Sequence, residues 1–131
     1  MEIEKKYHFY AAHRNEYVEG KCQNLHGHTY YVFVRLKFTS TDESGVSMLF
    51  ESIDDVIDPI IKTLDHSTLV HEQDTLLLQA VDLLNSKRVM FARPTSAENL
   101  AKYLFDHISA SGLKVTEIRL QETTSSTVIY P

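Results

Sequence analysis

Two hydrophobic periods divide this 131-residue chain, and they constrain its fold more than any other feature. Near the start Ile3, Lys5, Tyr7, Phe9 and Ala11 alternate with Glu2, Glu4, Lys6 and His8, a two-residue period that predicts a strand over 3–12. A second strand is expected over 29–38. One of its faces carries Tyr30, Val32, Val34, Leu36 and Phe38, the other Tyr31, Phe33, Arg35 and Lys37. A polar turn at 39–45 follows, and 46–50 is expected to finish that hairpin. From Ser52 the period changes: Ile53, Val56, Ile57, Ile60, Ile61 and Leu64 recur at three- and four-residue spacing, the mark of an amphipathic helix. Pro59 is predicted to interrupt it, either kinking it or leaving the helix in two pieces. Asp74 reads as the N-cap of a second helix running to about Ser86, and Val89 to Phe91 as a short strand. Thr95, with Glu98 three residues on, reads as a capping box opening a third helix that ends at Gly112. Closing strands are expected over 114–122 and 127–130. The order is hairpin, helices, hairpin, which predicts one α+β domain over 1–131: an antiparallel β-sheet with helices packed on one face.

Composition excludes several classes of function. The 13 Lys and Arg stand against 18 Asp and Glu, and a net charge of −5 argues against a nucleic-acid partner, since phosphate binding needs a positive field. Apolar runs such as Leu76 to Leu78 fall far short of the roughly 20 residues a membrane span requires. The start, Met1 to Lys6, has no apolar core of the secretory kind. The single cysteine cannot form an internal disulfide, which suits a reducing, cytoplasmic setting.

Seven histidines in so short a chain need an explanation, and three of them share a pattern. His26-Gly27-His28 places two imidazoles on one side of an extended segment, because side chains alternate along a strand. Such a pair gains little unless a cation sits between the rings, and neutral imidazole is the commonest transition-metal ligand. His13 ends the first strand and is the candidate third ligand. Three histidines without a fourth protein ligand describe an open, catalytic zinc site. Cys22 lies four residues before His26. It is a fourth ligand closing the site, a thiol activated by the nearby cation, or a small buried hydrophobe. Lys21, Gln23 and Asn24 beside it argue against deep burial. Asp65-His66 closes the first helix, where a carboxylate accepting from imidazole would fix its tautomer and raise its basicity. Glu122 ends a strand; its plain reading is a solvated edge carboxylate.

These residues occur in a recognisable order. Phe9-Tyr10-Ala11-Ala12-His13-Arg14, then Cys22-x-x-x-His26-Gly27-His28, then Leu64-Asp65-His66, then Thr95-Ser96-Ala97-Glu98-Asn99-Leu100-Ala101, then Glu122-Thr123 resemble the 6-pyruvoyl-tetrahydropterin synthase superfamily over nearly the whole chain. The Cys22-to-His26 spacing is most similar to its 6-carboxy-tetrahydropterin synthase branch, which serves queuosine and other 7-deazaguanine biosynthesis. The resemblance implies the tunnelling fold (T-fold), with subunits joining sheets into barrels in a homo-oligomer, usually a hexamer, and active sites between subunits. It implies Zn2+ held by His13, His26 and His28, catalysis by Cys22, Asp65 and His66, and Glu122 anchoring a small-molecule pterin. The implied reaction converts 7,8-dihydroneopterin triphosphate to 6-carboxy-tetrahydropterin, acetaldehyde and triphosphate. Alternatives within reach of the same residues are a pterin synthase that eliminates triphosphate without cleaving the side chain, and a non-catalytic pterin-binding protein. Arg14, Lys21 and Arg93 are candidate triphosphate cations.

Two departures from the family pattern stand out. Leu49 occupies the position, just before Phe50, where members commonly place aspartate. The segment from about Gln73 to Phe91 is longer than in compact members and adds a helix. His8, His71 and His107 have no assigned role.

Overall fold

The computed structural model describes all of residues 1–131. Its strands are β1 (Glu2–His13), β2 (His26–Lys37), β3 (Ser67–His71), β4 (Arg88–Phe91), β5 (Val115–Thr123) and β6 (Ser126–Tyr130), and its helices α1 (Phe50–Leu64), α2 (Thr75–Leu83) and α3 (Ala97–Ala110). The strands form one six-stranded sheet in the order β4-β3-β1-β2-β5-β6. The four strands β1, β2, β5 and β6 pair antiparallel, as the two hairpins predict. At the other edge β3 and β4 join in parallel, so the complete sheet is mixed. No helix is long and apolar enough to cross a membrane.

The dominant core lies on the face where the period-two apolar residues point. Tyr7, Phe9 and Ala11 of β1, Tyr30, Val32, Val34 and Leu36 of β2, and Ile118 and Leu120 of β5 meet Ile53, Ile57 and Leu64 of α1 and Leu100, Leu104 and Ile108 of α3. Burying each large aliphatic side chain stabilises the fold by about 1.5–3 kcal/mol before entropy is counted. Phe9 stacks on Tyr30 with centroids 4.9 Å apart, at the end of the core nearest the histidines.

Three local expectations need correction, and β3 falls where no element is expected. Residues 46–49 form no strand, and Phe50 opens α1 directly, with Leu49 in the cap position and no side-chain cap. Pro59 does not divide α1. It lies on the solvent face, where the Asp55 carbonyl freed by the missing N–H is open to solvent. The N-cap of α3 is Ser96, whose hydroxyl accepts from Asn99 N–H at 3.3 Å, not Thr95, which is buried. β3 has no alternating pattern because Leu69 enters the main core while its neighbour Val70 packs against Leu77 and Val81 of α2. A strand apolar on successive residues carries no period-two signal.

Candidate functional site

Pairing register brings the histidines together. β1 and β2 run opposite one another from Glu2↔Lys37 to His13↔His26, and Ala11 faces His28. Directly opposed residues share a sheet face, and so do residues two apart on one strand. His13, His26 and His28 therefore prolong the same row as Phe9 and Tyr30 and stand at the open end of the core. Their ring centroids are 4.7, 5.2 and 4.7 Å apart, and one nitrogen from each lies within 4.8 Å of the other two.

Hydrogen bonds fix the tautomers of two of these rings. His13 Nδ1 donates to the Thr95 carbonyl at 2.6 Å, and His26 Nδ1 donates to the Asn24 carbonyl at 2.7 Å. A carbonyl only accepts, so both rings carry the proton on Nδ1 and present an Nε2 lone pair. His28 Nε2 is buried without a hydrogen-bond partner, 3.5 Å from Glu122 Oε1. Burial pushes the His13 pKa down to about 4, aided by His26 and His28 and opposed by the Thr95 carbonyl. Burial also lowers that of His28, with His26 adding to the effect and Glu122 opposing it. Three converging imidazoles, one with an orphaned buried nitrogen, fit a divalent transition-metal ion. Cys22 lies outside that cluster and is exposed, which removes the buried-hydrophobe reading.

A cleft of about 260 Å³ opens beside the cluster, lined by His13, His26, Cys22, Glu98 and Glu122, with Ser126 and Thr127 of β6 among the rest. Cys22 reaches it from a single 3-10 turn, Lys21–Gln23. The turn is entered through Gly20 at φ 95°, a left-handed conformation that a side chain would strain. Glu122 continues the core-facing row of Ile118 and Leu120 on β5 and so arrives next to His28. Tyr30, packed beneath, has a buried hydroxyl without a partner, and burial with Glu122 holds its proton on.

Asp65 and His66 form the expected pair: Asp65 Oδ2 lies 2.8 Å from His66 Nδ1. Asp65 Oδ1 also accepts from Tyr10 N–H at 2.9 Å, and His66 N–H donates to the Tyr10 carbonyl at 2.6 Å, which docks the pair on the edge of β1. The Tyr10 amide, then His66 and Lys87, keep the Asp65 carboxyl below its ordinary range. His66 adopts φ 55°, a left-handed conformation that turns it outward, and its side chain is 76% exposed. It lines a second cleft with Tyr10, Gly27, His28 and Thr29, which shares no lining residue with the Cys22 cleft. The fold thus gathers His13, His26, His28, Cys22 and Glu122 and holds Asp65 and His66 apart.

Of the candidate anion-binding cations, Arg14 is engaged elsewhere. Its guanidinium grips Asp74 with two bonds of 2.7 and 2.6 Å. Arg93 lines a separate groove with Lys102 and Tyr103. Lys21 is exposed beside Cys22 and makes no ion pair. Asp74 also caps α2 by accepting from Leu77 N–H at 3.2 Å, and the Arg14 bond holds its carboxyl below the usual range. A depressed carboxylate contributes stability that is present above its unfolded pKa, about 3.9, and lost as pH falls through its folded value. Asp74→Asn is therefore expected to cost about 2 kcal/mol at pH 7 and to flatten the decline of stability below about pH 4, measured by urea melts across pH.

Sequence reasoning missed the groups that orient these side chains. The carbonyls of Thr95 and Asn24 have no sequence signature, because any residue supplies one. Glu16, bonded to the buried His71, was equally invisible: its partner is 55 residues away.

Comparison with known proteins identifies the family and the fold. The 6-pyruvoyl tetrahydropterin synthase family matches residues 2–131. The chain is 29% identical to a 6-carboxy-5,6,7,8-tetrahydropterin synthase of Haemophilus influenzae, over 99% of this chain and 98% of that one. It is 33% identical to the Synechocystis protein of the same name, over 98% and 91%. The fold superposes on 6-pyruvoyl tetrahydropterin synthase of Caenorhabditis elegans with a TM-score of 0.73 at 21% identity, covering 99% of this chain and 94% of that one. With the family match running over residues 2–131, the chain belongs to the 6-pyruvoyl tetrahydropterin synthase family.

Proposed function

We propose that this chain is a single-domain, zinc-dependent 6-carboxy-5,6,7,8-tetrahydropterin synthase, a lyase that converts 7,8-dihydroneopterin triphosphate and water to 6-carboxy-tetrahydropterin, acetaldehyde and triphosphate. The observation that carries the reading is a three-histidine cluster opening into a cleft that also holds a free cysteine and a carboxylate. Relatives of that name matching over more than nine-tenths of the chain support it.

In this reading His13, His26 and His28 would hold the zinc, with burial and the neighbouring rings favouring the neutral form of His13 and His28. Bound there, zinc supplies Lewis acidity, which stabilises negative charge developing on substrate oxygen and acidifies the neighbouring C–H. Cys22, exposed in the cleft, acts as thiolate and takes that proton. Glu122 accepts two hydrogen bonds from the guanidine-like edge of the pterin, and so selects for a ring that bears the amino group. His66, oriented by Asp65, exchanges protons on the opposite side of the substrate. Two partners are needed because the protons move on different atoms. The Asp65–His66 pair lies outside the Cys22 cleft of its own chain. The reading therefore has a second copy supply it, in a homo-oligomer with active sites between subunits, a hexamer by resemblance. Pairing between copies would also cover the exposed edges at β4 and β6. A cytoplasmic setting, which keeps Cys22 reduced, suits the chemistry.

Incubation with 7,8-dihydroneopterin triphosphate tests the proposal. Acetaldehyde released in step with triphosphate is the expected result. Triphosphate without acetaldehyde would assign the simpler elimination, and bound but unaltered pterin would assign a binding protein.

A further inference from the structure

The turn that carries Cys22 has almost no core of its own. Residues 14–25 join β1 to β2, and none of them is buried. What holds the turn is a short relay of hydrogen bonds. Asn15 N–H donates to the Cys22 carbonyl at 2.9 Å, and the Gln23 side-chain amide donates to the Glu16 carbonyl at 3.2 Å. The Cys22 turn is thus fastened to the backbone of Asn15 and Glu16, and those residues are fastened to another part of the molecule. Glu16 Oε1 bonds His71 Nδ1, whose side chain is 5% exposed, at the end of β3. Arg14 grips Asp74 three residues further on. His71 and Asp74 belong to one tight turn, closed by Asp74 N–H donating to the His71 carbonyl at 2.8 Å. That turn is held by pairing of β3 with β4 and by α2 packing on Val70.

Stability alone does not account for the Glu16–His71 pair. Glu16 Oε2 is buried with no partner, and an unsatisfied buried carboxylate oxygen is destabilising. Replacing a buried polar pair by apolar side chains is often neutral or better. We propose that Glu16 and His71 are positioning residues for Cys22: they clamp the 14–25 segment to the β3–α2 turn and so hold the thiol at the mouth of the cleft. This rests on the lyase reading, in which Cys22 moves a proton. The added helix α2 acquires a purpose from it, as the buttress for the turn that carries the clamp.

Three variants of the full-length, zinc-loaded protein test this: Glu16→Ala, Glu16→Gln and His71→Ala. Glu16→Gln keeps an oxygen able to accept from His71 Nδ1. Amide hydrogen exchange is read by segment, and kcat and KM are read on the pterin triphosphate. Glu16→Ala and His71→Ala are expected to speed exchange across 15–24 at least tenfold with β2 and α3 unchanged. They should lower kcat at least tenfold with KM within about twofold, and Glu16→Gln should recover most of both effects. A purely structural pair would instead raise exchange throughout the sheet or leave kcat untouched, and either result overturns the proposal. So does exchange over 15–24 that stays at the wild-type rate. Should the wild-type chain make no product, the lyase reading fails by that result alone, and segmental exchange still decides the clamp.

Discussion

Cys22→Ala removes turnover of the pterin triphosphate by about 10²–10⁴-fold, the range expected for loss of a positioned general base, and leaves both metal content and fold intact. The separation of effects follows from where the thiol sits. It is exposed, so truncating it creates no cavity, and substitutions at such positions change stability by only about 0.5 kcal/mol. It lies outside the cluster formed by His13, His26 and His28, so the proposed zinc site would keep all three of its histidines. Substrate affinity should also persist, since Glu122 and the β6 wall of the cleft are untouched. The checks are steady-state kinetics, zinc per chain and thermal melting on the same preparation. A variant that turns over at the wild-type rate returns Cys22 to an ordinary surface residue. One that loses zinc with activity places the thiol on the metal after all.

His28→Ala is expected to lower zinc affinity by at least 100-fold and to abolish activity with it. Loss of an outer-shell partner alone costs 10–100-fold in metal affinity, and this substitution deletes a proposed ligand. His28 separates metal binding from folding better than His13 does. His13 is 5% exposed and bonded to Thr95, so its removal also disturbs the core. His28 stands at the β2 end, where the strand pairing Ala11↔His28 is made by backbone and survives truncation. Its orphaned Nε2 costs stability while unliganded, so the metal-free variant should melt no lower than the metal-free parent. Competition against a chelator of known affinity gives the first number and calorimetry of the metal-free proteins the second. Stoichiometric zinc in His28→Ala would remove it from the ligand set.

Much of this molecule was legible in one dimension, for a reason that differs from element to element. β1, β2, α1 and α3 each bury a single face, so their apolar residues carry a clean period. The end of β2 also places His26 and His28 together, because alternation alone puts residues two apart on one side. β3 escaped for the converse reason: Leu69 and Val70 are both fully buried, against different partners, and successive burial erases the period. Thr95 was misread as a cap because Thr95 and Ser96 are chemically alike, and only burial distinguishes the residue that turns inward from the one that starts the helix.

The sequence by itself determined the elements that bury one face, the membership of His26 and His28 in one row, and the roster of residues with chemistry to offer. Tertiary structure alone decided the rest. The β1–β2 register set His13 opposite His26, and a slip of one residue would have turned it to the other face. Burial, aided by the neighbouring rings, pushed the His13 pKa down and so favours its neutral form. The parallel entry of β3 brought His71 and Asp74 to the Cys22 segment, and the left-handed turn at His66 carried that imidazole into a different cleft. Each of these depends on contacts between residues far apart in the chain, which local periodicity does not encode.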